Sequence, residues 1–219
     1  VRNRSVIAIL AILAVFSMVE MASAQTGTVT VTGTNPSSVS ITNTSDAAVS
    51  TTVALGTLTP TTGGVLATNS TTVWLRSSKA YVLSAQAAAL NFTALGSVDN
   101  GTTIALSDIG FGVTTLGLTG ANVANTGSRN DAVISKFDYT SGYPTVTNGL
   151  TPFQAGTNGT LNDITSNTQI LSGSRISSLG NMSTDNNYIA VTLGVATLPQ
   201  YFTPNTSFSS VVTLTITAP

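Results

Sequence analysis

Threonine and valine alternate strictly from Thr28 to Thr32, and near the other end Val212, Leu214 and Ile216 alternate with Thr213, Thr215 and Thr217. A period of two puts successive side chains on opposite faces of an extended chain, so both segments are predicted as half-buried strands. Further β-rich runs cover residues 38–42, 49–55, 71–76, 81–86, 109–114, 132–137, 169–176 and 188–196. After residue 24 no segment sustains the i, i+3, i+4, i+7 apolar pattern of a helix over three turns; the alanine-rich residues 85–90 offer one turn at most. Asn100-Gly101, Asn148-Gly149 and Asn158-Gly159 suit tight hairpins, because both residues of each pair tolerate positive φ, and Gly63-Gly64 and Ser78-Lys79 turn the chain more loosely. Short strands separated by turn signals describe an all-β, antiparallel sandwich. Residues 138–168 break the pattern with Gly, Asn, Thr, Pro144 and Pro152, and are expected to form a long surface excursion.

The first residues follow another rule. Arg2 and Arg4 precede an apolar run over residues 6–19, which leads to Ala22-Ser23-Ala24. This order matches the charged, apolar and cleavage regions of a secretory signal peptide, so residues 1–24 are expected to be removed and residues 25–219 to form a single domain. The run is too short for the roughly 20 residues a spanning helix needs, and no membrane span is expected after cleavage. The predicted destination is secreted, extracellular or cell-surface. An exported chain without Cys gains nothing from disulfides, so its stability must come from burial.

Composition then narrows the chemistry. Residues 25–219 contain no His, Cys or Glu, and their charges are seven Asp, three Arg and two Lys, a net charge of −2. The common near-neutral proton carrier and the thiolate and imidazole metal ligands are missing, as are the Ser/His/Asp and Cys/His nucleophile sets, so no enzyme is expected. No basic patch marks nucleic acid as a partner. Asp131 and Asp138 flank one β-rich run, and Asp99-Asn100 and Asp185-Asn186-Asn187 make oxygen-rich turns, the raw material of a Ca²⁺ site. The ordered Asp-x-Asp-x-Asp-Gly spacing is lacking, and Asp and Asn that bond their own backbone explain the same residues; no cofactor is expected. Lys79 and Lys136 are the two candidates for amide crosslinks to Asn, against ordinary solvated lysines.

Tyr139, Tyr143 and Phe153 fall in the polar excursion, where rings either stack on a glycan or partner surface or anchor the loop on the sheets. After residue 24, seven Asn-x-Ser/Thr triplets occur, at Asn43, Asn69, Asn91, Asn100, Asn158, Asn181 and Asn205, a number that a chain this rich in Asn, Ser and Thr also reaches by composition. A surface hydrated by neutral hydroxyl and amide groups lacks the Lys and Glu that normally block pairing between sheet edges. Val29 and Val31, on an alternating segment that ends at Asn35-Pro36, are the candidate self-association residues, by adding a strand to the next subunit.

The alternating segment from Gly27 to Gly33, the Thr/Ser/Ala/Gly/Asn-rich body and the final strand from Phe208 to Pro219 together resemble secreted β-sandwich subunits of surface fibres. These are the chaperone–usher-type pilins, the spore-coat-U-like group and the donor-strand filament subunits of archaea. The resemblance implies an Ig-like or pilin-like sandwich assembled by strand exchange. Many pilins carry a disulfide and a Tyr near the carboxyl terminus; this chain has neither after Phe208. The expected function is a structural or adhesive subunit that forms a homo-oligomer or fibre. The alternative is a surface binding module that recognises a glycan or partner protein through residues 138–168.

Overall fold

The computed structural model describes residues 30–33, 37–60, 64–94, 96, 103–119, 130–146, 152–176, 188–203, 205 and 207–219. The expected signal peptide, Val29, Asp99, Asn100-Gly101, Asn148-Gly149, Asn181 and residues 185–187 lie outside them. Val1–Asn35 and Pro36–Pro219 form separate compact units. In the first, Thr30, Val31 and Thr32 belong to no strand, and Val31 is 90% exposed. The strand expected at residues 28–32 is therefore absent over its described part. Alternation prepares a segment for pairing, but a strand exists only where a neighbour takes its N–H and C=O groups.

The described residues of the second unit form ten strands: β1 Val39–Thr42, β2 Ala67–Ser77, β3 Tyr81–Ala87, β4 Asn91–Thr93, β5 Ile109–Thr119, β6 Ala132–Val133, β7 Thr168–Gly173, β8 Tyr188–Thr197, β9 Ser207–Ser209 and β10 Val212–Thr217. They form one sheet in the order β1-β2-β8-β5, a second in the order β10-β3-β7-β6, and the pair β4-β9. Every pairing is antiparallel. The chain is all-β and antiparallel, as its alternation predicts.

One core joins the two four-stranded sheets. Val73 and Leu75 of β2, Phe111 and Val113 of β5 and Ile189 and Val191 of β8 meet Tyr81, Leu83 and Ala85 of β3 and Ile170 and Leu171 of β7. Ile170 and Leu171 are consecutive yet both buried, because a register shift opposite Leu83 and Ser84 lets β7 turn two neighbours inward. In β10, Val212, Leu214 and Ile216 pack against the core while Thr213, Thr215 and Thr217 face outward. Ser84 and Gln86 of β3 pair with Thr215 and Thr213, so this stretch of the second sheet's outer face is uncharged.

Several expectations are corrected. Residues 49–55 form no strand: Leu55 packs against the core, but the segment has no strand partner, so its alternation records one-sided burial alone. Strand pairing in residues 132–137 stops at Val133, and Ser135–Phe137 is a 3₁₀ turn that sends the Phe137 ring inward. Residues 85–87 continue β3, and 88–90 are not helical. Asn158-Gly159 is no two-residue hairpin: the N–H groups of Thr157 and Asn158 both donate to the Gln154 carbonyl, closing a wider turn. Strand β4, three residues long, is below the reach of the pattern, and the final strand expected from Phe208 is divided into β9 and β10; Phe92 faces Phe208 across β4 and β9.

Arg76 is 5% exposed, with its guanidinium 5.8 Å and 5.2 Å from the Trp74 and Tyr188 ring centroids. Those rings stack at 4.0 Å, and Arg76 Nη1 lies 2.9 Å from Asp46 Oδ1. Burial of an arginine requires such pairing, and this set fastens the turn after β1 to the face of β2.

Candidate functional site

The outer face of the first sheet is shaped by missing side chains. Phe111 and Val113 of β5 point to the core, so Gly110 and Gly112 face the other way; they pair with Ala196 and Gly194 of β8. A shelf without β-carbons lets rings approach the backbone closely. A Cβ on Gly110 would lie 2.2 Å from a Phe153 ring carbon, one on Gly112 2.9 Å from the Tyr139 ring, and one on Gly194 2.1 Å from the Tyr143 hydroxyl.

The long excursion is thus a packed layer, with Leu161 and Ile164 in the main core and Tyr139 and Phe153 in a second small cluster with Ala196. The rings anchor the excursion on the sheet, while Asp138, Thr140 and Gln154 stay exposed. Tyr139 and Phe153 are 3% and 5% exposed and Tyr143 is half-buried, so the three rings come together but their faces are occupied by protein. The Tyr139 hydroxyl donates to the Gly159 carbonyl at 2.6 Å. Burial raises the Tyr139 pKa well above the usual tyrosine value, with Asp163 and Tyr143 adding to the shift; burial raises Tyr143 too.

Below this layer, Asp163 caps the 3₁₀ turn Leu161–Ile164 by accepting from the Thr160 N–H at 2.9 Å and hydroxyl at 2.8 Å, and it pairs with Lys136 at 3.1 Å. Burial alone would raise the Asp163 pKa. Hydrogen bonds from the Thr160 hydroxyl, Lys136 and the Thr160 N–H, with the Lys136 charge, outweigh it and hold the carboxyl below its usual value. Lys136 meets a carboxylate, not an Asn amide, and Lys79 is exposed.

The same loop divides the edge of β5. Phe111 N–H donates to the Gly159 carbonyl and Tyr139 N–H to the Val113 carbonyl, both at 2.9 Å, so the edge is covered through Val113. From Thr114 to Thr119 no strand among the described residues pairs with it. A register shift between Val113 and Thr115 marks the change.

Here the two sheets leave a cleft of about 630 Å³, with Thr114, Thr115 and Leu116 on the β5 side and Ala132 and Val133 on the β6 side. Leu116 and Val133 also pack on the core and supply its apolar wall. On the opposite side β1 and β10 lie next to each other. The cleft therefore combines unpaired main-chain groups with a narrow apolar wall, the two elements that hold an added strand.

Asp131 and Asp138 both line this cleft. Asp131 accepts from the Tyr81 hydroxyl at 3.0 Å, whereas Asp138 Oδ1 accepts from the Thr140 N–H at 3.0 Å and hydroxyl at 2.6 Å, an Asx turn. Among the described residues no three His, Cys, Asp or Glu side chains converge as metal ligands. Val31, in the other compact unit, presents its side chain outward. Among the described residues no helix is long and apolar enough to cross a membrane. The cleft itself was not foreseeable from sequence, since it depends on which two strands end the sheets.

No protein-family model matches this chain, and comparison with curated proteins and with solved structures returned no significant match.

Proposed function

We propose that this protein is a secreted or cell-surface structural subunit, an Ig-like sandwich that self-associates by strand addition. The observation that carries the reading is the edge of β5 from Thr114 to Thr119, with which no strand among the described residues pairs, beside Leu116 and Val133. The amino-terminal segment has the complementary form, with Val31 exposed and Thr30 and Thr32 outside any strand. A neighbouring copy's segment adds main-chain hydrogen bonds along β5 and places Val29 and Val31 against the apolar wall. The preceding residues supply the signal for export. The scarcity of charge leaves little repulsion between copies at the edges that meet.

Size-exclusion chromatography and negative-stain electron microscopy of the protein recovered unboiled from its native cell surface test this reading. Fibres or a heat-sensitive ladder are expected, and deletion of residues 25–35 should leave folded subunits that do not polymerise. Normal polymers from the deletion would remove the donor role of Val29 and Val31. A uniform monomer from the native surface would remove self-association itself.

A further inference from the structure

The Asn-x-Ser/Thr triplets within the described residues are not equivalent in structure. Asn43 Oδ1 accepts the N–H groups of Ser45 and Ala47, which locks that asparagine in a turn. Asn69 Nδ2 donates to the Ala54 carbonyl at 2.7 Å, and its third residue, Thr71, is half-buried. Asn158 Oδ1 accepts the Gln154 N–H, and its Thr160 is buried against Asp163. Asn205 is half-buried and donates to the Thr203 carbonyl.

Asn91 combines a free amide with an exposed third residue. It opens β4, where the strand period puts Asn91 and Thr93 on one exposed side and turns Phe92 toward the core. Among the described residues no hydrogen bond engages the Asn91 side-chain amide. Across β9, Ser209 faces Asn91 and Ser207 faces Thr93, and both serines are small and exposed. The chain bends directly after the triplet, at Ala94 with φ 48°. Only three residue pairs hold β4 to β9, so the segment can open locally to enter an enzyme's active site at small cost.

We propose that Asn91 is the N-glycan acceptor among the described triplets, an inference that rests on the export reading for its cellular setting. The donor is a lipid pyrophosphate-linked oligosaccharide, used by an oligosaccharyltransferase. Asn91 Nδ2 attacks the anomeric carbon, the carbon–oxygen bond to the pyrophosphate breaks as the carbon–nitrogen bond forms, the lipid pyrophosphate leaves with the bonding pair, and the amide gives up one proton. Thr93 supplies the hydroxyl by which the enzyme recognises the triplet.

The test uses purified folded protein carrying Asn100→Gln and Asn181→Gln, so that the five described triplets compete. It is incubated with a purified oligosaccharyltransferase that requires only Asn-x-Ser/Thr and with its lipid-linked donor, then analysed by intact mass and peptide mapping. A mass increase of one glycan, mapped to Asn91 and lost in both Asn91→Gln and Thr93→Ala, is expected. A folded protein that stays unmodified while the heat-unfolded chain is glycosylated would overturn the proposal. So would a glycan on Asn43, Asn69, Asn158 or Asn205 with Asn91 empty. Fractionation of the native cells tests export separately: protein confined to the interior would remove the export reading and leave the acceptor result standing.

Discussion

Replacing Gly110 by Ala tests whether the aromatic layer is fastened by the glycine shelf. The new Cβ would lie 2.2, 2.5 and 2.8 Å from three Phe153 ring carbons, where ordinary contact begins at 3.4 Å, so the ring has to move by about an ångström. Phe153 is wedged among Tyr139, Ala196 and Leu66. Overpacking of this kind costs about 1–3 kcal/mol. Replacing a strand glycine restores about 0.5–1 kcal/mol through the unfolded chain. The net loss is about 1–2 kcal/mol, or about 3–6 °C in Tm for a domain of this size. Urea unfolding followed by Trp74 fluorescence and far-UV circular dichroism measures it.

The decisive arm is the double-mutant cycle with Phe153→Ala, which alone should cost about 3–5 kcal/mol. With the ring removed, Gly110→Ala should become neutral or slightly stabilising, giving a coupling of about 2 kcal/mol. Gly112→Ala should stay destabilising in that background, because its Cβ would meet the Phe137 carbonyl oxygen at 2.5 Å. Gly117→Ala should be harmless, since its nearest neighbour is 3.8 Å away. If Gly110→Ala costs the same, to within about 0.5 kcal/mol, with and without the Phe153 ring, the shelf argument is wrong.

Further outcomes are expected. Val31→Asp should abolish fibres in electron micrographs while leaving the circular dichroism spectrum unchanged, because Val31 is exposed and unpaired in strand terms. Ala132→Lys, an exposed site at the cleft, should weaken assembly by putting a charge where a strand must dock, measured as the critical concentration for polymer formation. Above pH ~10 the unfolded chain releases the Tyr139 proton while the folded chain holds it, so stability should fall as pH rises; Tyr139→Phe should flatten that slope in urea titrations and cost only about 0.5–1.5 kcal/mol near neutrality, because the Gly159 carbonyl keeps the Phe111 N–H. Asp163 acts in the opposite range: its lowered pKa gives stability that is present above the unfolded value near 4 and lost as pH falls through the folded one, and Asp163→Asn should remove this acid dependence of Tm.

How much of this was legible in the chain depended on range. Strands with alternating core and solvent residues, such as β10 and β3, announce themselves because one-sided burial and pairing coincide. Residues 49–55 show the same alternation with burial but no partner, and Thr30–Thr32 show it with neither, so pattern alone cannot supply the neighbour. The aromatic trio was visible as a candidate, but its fate lay in Gly110, Gly112 and Gly194, at a distance along the chain. The signal was present in β5 as glycines alternating with Ile109, Phe111 and Val113, which foretells an outer face able to receive rings. The cleft had no local signature, because two strand ends meet there only through sheet order.

The neutral outer face of the second sheet also decides how the protein answers its medium. Thr213, Thr215, Ser84 and Gln86 present hydroxyls and amides that neither titrate near neutrality nor gather counterions. With no His in the chain, a drift in acidity between about pH 5 and 8 changes little of its protonation. Charge screening by salt finds little to act on there. A layer built from such subunits would keep its cohesion through fresh water and brine alike, and would exchange water, not ions, whenever two of these faces meet.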